Sequence, residues 1–152
     1  MMKEAIDKFF SSEAYAVVGV SRNKYKFGTT AFHALQKRQF PVYPVNSHLS
    51  AFDDQKCYEK VTDLPDAVQS VVIVVPPDSA EQVVAECKWK GIQNVWLQPG
   101  SESSEALSYA QENRMNVIHG QCILMFLEPV QSFHALHRWV NKVVGKYPLS
   151  TG

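Results

Sequence analysis

Five short runs of apolar, mostly β-branched residues recur along this 152-residue chain and restrict its fold more than any other feature. Their apolarity is continuous rather than alternating, which is typical of strands covered on both faces. Helical patterns separate successive runs, with connections of a few residues. This alternation predicts βαβ units, and hence an α/β fold with a parallel sheet and right-handed crossovers. The runs are Ala14–Val20, Pro41–Val45, Ser70–Val75, Asn94–Leu97 and the weaker Asn116–Ile118.

Capping residues between these strands indicate where the helices begin and end. Asp78 follows two prolines and precedes Glu81 by three residues, so we expect this pair to cap one helix in a capping box. Ser101 is the expected N-cap of the next helix, and Gly91 is the expected glycine at a helix C-terminus. The predicted helices cover residues 27–38, 79–90 and 103–114.

The rest of the chain departs from this alternation. Between Asn46 and Leu64 the pattern fails, and we expect a loop with short helical turns. We predict a further helix within residues 1–13 and another over residues 130–147, whose apolar residues form one stripe at helical spacing. That stripe is expected to pack on its own domain, with a homodimer face as the alternative. The whole chain, residues 1–152, has the length of a single domain.

Composition narrows the functional classes. The 15 basic and 15 acidic residues cancel, which argues against a nucleic-acid-binding protein, since such proteins usually carry a basic excess. We expect no signal peptide or membrane span, because no apolar run is long enough. We also expect no metal site, because His134 and His137 share a helical face but lack a third ligand. The three cysteines form no CxxC pair and predict neither disulfides nor a zinc site, so the expected location is a reducing cytoplasm.

The segment after the first predicted strand is the most informative for function, because ligands of open parallel sheets bind beyond the carboxyl ends of the strands. Gly19 permits a sharp turn there, and Gly28 opens a helix whose N-terminus can face an anion. Arg22, Lys24 and Lys26 place three positive charges within five residues. Together these residues suit a ligand with several phosphates, with a solvated basic loop as the alternative.

Two common nucleotide motifs are missing from this segment. The two glycines are nine residues apart, unlike the G-x-G-x-x-G fingerprint of dinucleotide-binding domains. The second strand is followed by Asn46, and no acidic residue that could hold ribose hydroxyls occurs before Asp53. A Walker loop is absent as well. The sequence therefore disfavours NAD binding and nucleotide hydrolysis. It favours another adenine-containing ligand with several phosphates.

Five short motifs follow one another in a characteristic order. They are Gly19–Asn23 with Gly28, Tyr43–Asn46, Val74–Pro77, Val95–Gly100 and Cys122. These motifs resemble those of the stand-alone CoA-binding domain proteins, which are similar to the N-terminal CoA-binding domain of the succinyl-CoA synthetase α subunit. The resemblance covers residues 12–127.

The resemblance implies a Rossmann-like doubly wound sheet of about five parallel strands that binds coenzyme A. It implies that the Gly19–Ser21 turn and the basic loop hold phosphates. It also implies that Val45 and Asn46 flank the nucleotide, while Pro76 and Pro77 line its adenine and pantetheine side. The predicted cofactor-binding residues are Gly19, Val20, Ser21, Arg22, Lys26, Gly28, Val45, Asn46, Val75, Pro76, Pro77, Gln98, Gly100 and Cys122.

The chain also departs from the synthetase pattern. The phosphorylated histidine and the ATP-binding subunit lie outside the matched region, and Ile123 follows the cysteine where many relatives have proline. We therefore predict a cytoplasmic protein that binds CoA or acyl-CoA without an evident catalytic domain. Its predicted partners include no nucleic acid or membrane, and a homodimer or a partner protein is a candidate.

Two alternatives to simple CoA binding stay open. The first is an enzyme that acts on an acyl-CoA thioester through Cys122 and His119. The ordinary alternative for Cys122 is a small buried apolar residue, and His119 is more often structural in such a position. The second is an NAD(P)-binding redox sensor, which the missing acidic residue after the second strand disfavours.

Overall fold

The computed structural model describes residues 2–127 as alternating helices and strands. Within residues 2–127, every predicted strand and helix forms, within a few residues of its expected bounds. In chain order the elements are α1 (Met2–Phe9), β1 (Ala14–Val18), α2 (Phe27–Lys37), β2 (Val42–Val45), β3 (Ala51–Phe52), β4 (Gln55–Lys56), β5 (Val68–Ile73), α3 (Pro77–Lys90), β6 (Asn94–Leu97), α4 (Ser104–Glu112) and β7 (Asn116–Ile118), with 3-10 turns at Val61–Asp63 and Ile123–Phe126.

The main sheet has five parallel strands in the order β2-β1-β5-β6-β7, which confirms the predicted fold class. From β1 the chain passes outward through α2 to β2, then returns across β1 to β5. The strand order therefore reverses between β1 and β5. At this reversal Val18 is paired with Val45 on one side and with Ile73 on the other, so three strands end side by side.

Helices cover both faces of the sheet, which explains the long apolar runs in its strands. Every residue of β1 is buried. Tyr15 and Val17 belong to the core layer that also contains residues of α1 and α2. Ala16 and Val18 belong to the opposite layer, together with buried residues of α3 and α4. A strand between two apolar layers gains by burying both faces, so neither face carries the polar residues of a half-exposed strand.

Two of the predicted helix caps are wrong. α3 begins at Pro77 with Pro76 as its N-cap and no side-chain cap, so Asp78 lies inside the first turn. The positive end of the helix dipole still stabilises the Asp78 carboxylate at this position. The cap of α4 is Ser103, whose hydroxyl accepts from the Ala106 amide at 3.0 Å. Ser101 instead accepts from the Val75 amide at 2.9 Å and joins two strand ends.

The remaining local predictions had mixed outcomes. Gly91 ends α3 with φ 91°, as expected for a left-handed C-cap. The segment expected to be a loop with helical turns contains the antiparallel β3–β4 hairpin as well as one 3-10 turn. The N-terminal helix ends at Phe9. The predicted helix over residues 130–147, with His134 and His137, lies outside the described residues. No helix within residues 2–127 is long and apolar enough to cross a membrane.

Ser70 offers a test of how α1 is attached to the sheet. Its buried hydroxyl on β5 donates to the Phe9 carbonyl at the end of α1, at 2.6 Å. Ser70→Ala leaves that carbonyl without its partner, so we expect the free energy of unfolding to fall by about 1–3 kcal/mol. Urea denaturation measures this loss. The exposed Ser108 on α4 provides the control, and Ser108→Ala should change stability by less than about 0.5 kcal/mol. Equal effects of the two changes would contradict the assignment.

Candidate functional site

A cleft of about 470 Å³ opens at the carboxyl ends of β1, β2 and β5, where the strand order reverses. This is the position at which open α/β sheets bind ligands. Of the predicted cofactor-binding residues, five line this cleft directly. They are Gly19, Val45, Asn46, Val75 and Pro76.

The turn after β1 requires two glycines. Gly19 has φ 110°, a conformation that side chains disfavour, and a Cβ atom there would overlap the Val74 carbonyl oxygen. A Cβ atom on Gly28 would overlap the Gly19 carbonyl oxygen and crowd the Val20 amide. The first turn of α2 therefore packs directly on the backbone at the end of β1. This close approach places a helix N-terminus beside the cleft.

Thr29 fixes the path of the loop between β1 and α2. Its buried hydroxyl accepts from the Ser21 amide at 3.0 Å and donates to the Ser21 carbonyl at 2.6 Å. The Ser21 hydroxyl accepts from the Asn23 amide at 3.0 Å. The backbone amide and the hydroxyl of Ser21 thus both hold the loop, so the role of Ser21 in binding stays a prediction.

The first turn of α2 presents backbone donors. Its N-cap, Lys26, has extended backbone geometry and makes no side-chain cap. The first N–H groups of a helix have no partner within the helix, and the helix dipole makes this end attractive to anions. Arg22, Lys24 and Lys26 are exposed in the preceding loop. The Lys24 ammonium lies 5.4 Å from the ring centre of the exposed Tyr25.

Asn46 connects the loops after β1 and β2. Its side-chain amide donates to the Val20 carbonyl at 2.6 Å, and its side-chain oxygen accepts from the His48 amide at 2.7 Å. The Asn46 backbone amide donates to the Tyr58 carbonyl at 2.9 Å. The residue that replaces the usual acid of dinucleotide-binding domains therefore shapes this wall of the cleft. Val45 beside it is buried and paired with Val18.

The ends of β5 and β6 are joined on the other side of the cleft. The Val75 amide donates to Ser101, and the Val74 amide donates to the Val18 carbonyl at 2.9 Å. Pro76 and Pro77 are exposed where α3 begins. Gly100 is exposed in the β6–α4 turn with φ 97° and nothing within 4 Å of a Cβ atom there.

The segment after β7 is held by β6 and the loop that follows it. The buried Gln98 side-chain oxygen accepts from the Ile123 amide at 3.2 Å, and the Trp96 indole donates to the Gln121 carbonyl at 2.8 Å. Glu102 accepts from the Gly120 amide. Gln98 therefore positions the loop of Cys122, and neither residue lines the cleft described above.

The thiols differ in their surroundings. Cys122 is half-buried at the start of the last 3-10 turn, so it is not the fully buried apolar residue that was the ordinary alternative. Nearby, the His119 Nδ1 atom lies 4.0 Å from a Glu102 carboxylate oxygen. Cys57 and Cys87 are buried, and burial raises the pKa of both thiols, so both are poorly ionised at neutral pH.

Sequence reasoning missed one wall of the cleft. α3 lines it with a stripe of four residues at the i, i+3, i+4, i+7 spacing of a single helix face. That spacing was visible in the sequence, but the packing of this face against the loop after β2 was not. The stripe consists of Ser79, Gln82, Val83 and Glu86, and the facing loop contributes Ser47, His48, Glu59, Lys60 and Val61.

Comparisons with known proteins agree on one kind of domain. A family model described as a CoA binding domain matches residues 13–128. The chain is 30% identical over 129 residues to the α subunit of an ADP-forming acetate–CoA ligase II from Pyrococcus furiosus. That match covers 78% of this chain but only 28% of the subunit, so the chain spans much less than the full length of this relative.

Two solved structures share the fold and more than a quarter of the sequence. A conserved hypothetical protein from Pyrococcus furiosus has a TM-score of 0.72 and 34% identity, covering 75% of this chain and 98% of that protein. A dinucleotide-forming acetyl-coenzyme A synthetase 1 from Ca. Korarchaeum cryptofilum, solved with phosphate and ADP, has a TM-score of 0.62 and 32% identity. This second match covers 69% of this chain and 25% of the synthetase chain.

Thr29 and Thr30 provide a matched pair for testing the loop after β1. Thr29→Val keeps the shape of the side chain but removes both hydrogen bonds to Ser21, so we expect a loss of about 1–3 kcal/mol in the free energy of unfolding. Thr30 is exposed, and Thr30→Val should cost less than about 0.5 kcal/mol. Chemical denaturation compares the two variants. A Thr29→Val protein as stable as the Thr30→Val protein would show that these bonds do not hold the loop.

Proposed function

This chain belongs to the family of CoA-binding domains, and we propose that it binds coenzyme A or an acyl-CoA in the cleft at the ends of β1, β2 and β5. The observation that carries the proposal is the backbone contact between Gly19 and Gly28. It sets the open first turn of α2 against the turn after β1, beside the cleft. A diphosphate at this position meets backbone N–H groups and the positive end of a helix.

The charges near this turn suit the ligand. The diphosphate and 3′-phosphate of CoA together carry about four negative charges at neutral pH. Arg22, Lys24 and Lys26 supply positive charge from the loop that leads into α2. His48 and Lys60 line the cleft beyond Asn46 and are candidates for contact with the 3′-phosphate. The loop before α2 therefore concentrates three positive charges at one end of the sheet in a chain whose net charge is zero.

The apolar part of the cleft suits the adenosine half. Val45 and Val61 line it from the β2 side, while Val75 and Val83 line it from the β5 and α3 side. Apolar surfaces that enclose a flat base, with a few polar groups at the edge, are typical of small-molecule sites. From the diphosphate, the pantetheine arm would then extend past Pro76 and Pro77 toward the ends of β6 and β7. In this arrangement Gln98, Gly100 and Cys122 lie on the side of the thiol.

The match covers 28% of the ligase subunit, so the proposal extends to CoA binding and not to the reaction of that relative. A partner protein or a second copy that supplies further chemistry stays a prediction. A cytoplasmic location is also a proposal. It is supported by the three cysteines, which are all free thiols, as expected in a reducing compartment.

Thermal unfolding with a panel of ligands tests the proposal. CoA at 100 times its dissociation constant should stabilise the protein by about 2.7 kcal/mol. Dephospho-CoA should stabilise it less because it lacks the 3′-phosphate, and NAD should have no effect because Asn46 replaces the acid that binds its ribose. A shift of the unfolding midpoint with NAD but not with CoA would contradict the proposal.

Arg22 tests the basic loop in the same assay. Arg22→Ala removes a charge-assisted contact, and we expect CoA affinity to fall about tenfold. Arg114 is an exposed arginine just before β7, at the opposite edge of the sheet, so Arg114→Ala should leave the affinity unchanged. Unchanged affinity of Arg22→Ala would remove Arg22 from the site.

A further inference from the structure

One helical face lines the wall of the cleft opposite β2. Ser79, Gln82, Val83 and Glu86 of α3 all border the cleft. Residues at this spacing lie above one another on a helix, so they form a continuous strip along the wall. With Val45 on the opposite side, Val83 provides the second apolar surface for a flat group, and the polar members of the strip lie at its edge.

The polar end of the strip is rich in hydrogen-bond acceptors. The Gln82 side-chain amide donates to a Glu86 carboxylate oxygen at 3.2 Å. This bond orients Glu86 and leaves its second oxygen available to accept. Glu86 is half-buried and borders the cleft, so a ligand bound there can supply a donor to its carboxylate.

No cation of the described chain neutralises Glu86. The ion pairs within residues 2–127 are His33–Asp53, Lys90–Asp66 and His119–Glu102. The other ionisable groups that border the cleft are His48, after β2, and Glu59 and Lys60, after β4. Lys60 thus lies on the wall opposite α3, and Glu86 is a carboxylate with no ion-pair partner among the described residues.

We propose that Glu86, oriented by Gln82, accepts a hydrogen bond from the exocyclic amine of the ligand's purine and makes the site selective for a 6-amino over a 6-oxo base. This inference rests on the proposed function, which brings an adenine nucleotide to this cleft. An amine at this position donates to the carboxylate. A carbonyl oxygen in its place would face another acceptor, so the 6-substituent would no longer offer Glu86 a donor.

The experiment compares CoA with its hypoxanthine analogue, in which a carbonyl replaces the adenine amine. By isothermal titration calorimetry, the wild-type protein should bind CoA at least about tenfold more tightly than the analogue. In Glu86→Gln the new side-chain amide can donate to the carbonyl. The preference should then fall to within about threefold, with weaker CoA binding and stronger analogue binding.

Glu81 provides the matched control on the same helix. It is exposed and lies outside the cleft, so Glu81→Gln should keep the wild-type preference for CoA. Urea denaturation of both variants checks that the fold is intact. Equal binding of CoA and its analogue by the wild-type protein, or an unchanged preference in Glu86→Gln, would overturn the assignment of Glu86 and leave the proposed function standing. Binding of neither compound would overturn the proposed function, and the role of Glu86 with it.

Discussion

The contact between Gly19 and Gly28 is the constraint on which the rest of the site depends. A Cβ atom on Gly19 would overlap the end of β5, and a Cβ atom on Gly28 would overlap Gly19 itself. Three segments of backbone therefore meet at a distance that only glycine permits. Because α2 begins against the end of β1, its first-turn donors lie beside the point where the strand order reverses. A larger residue at Gly28 would push α2 away from the end of β1, and a larger residue at Gly19 would collide with the backbone of Val74.

The polar side chains around this contact form hydrogen bonds with backbone groups. Thr29 holds both polar groups of the Ser21 backbone, Asn46 joins the loops after β1 and β2, and Ser101 joins β5 to the turn after β6. Preformed loops reduce the ordering cost of binding, because little chain has to be fixed when a ligand arrives. In the proposed complex, recognition of the phosphates therefore falls to backbone N–H groups and to exposed cations.

The sequence was most informative about elements whose environment is uniform. Strands buried on both faces are mostly apolar, and β1 is buried along its whole length, so five apolar runs predicted five strands. The β3–β4 hairpin was missed because its strands have two residues each, too few for a recognisable pattern. Ser101 was misassigned as a helix cap because a serine near a helix start has two possible partners, and only the packing selects the Val75 amide.

The candidate site was predictable in part for the same reason. The glycines and cations after β1 could be identified as site residues from their residue types. The family resemblance added the candidate residues at the ends of the other strands. The strip on α3 that contains Gln82 and Glu86 has no sequence pattern that marks a binding site. It lines a cleft only because α3 faces the segment that follows β2. Gln98 is the opposite case. It was predicted to contact the ligand because it lies at a strand end, and its side chain accepts from the Ile123 amide and holds a loop.

Nuclear magnetic resonance of the ¹⁵N-labelled protein, titrated with CoA, tests the central claim most directly. The account predicts that saturating CoA shifts the backbone amide signals of Gly19, Gly28 and Asn46. The amides of Ser12, just before β1, and Gln69, at the amino end of β5, should stay in place. Shifts confined to the amino ends of the strands, or no shift at Gly19 and Gly28, would contradict binding at the carboxyl ends.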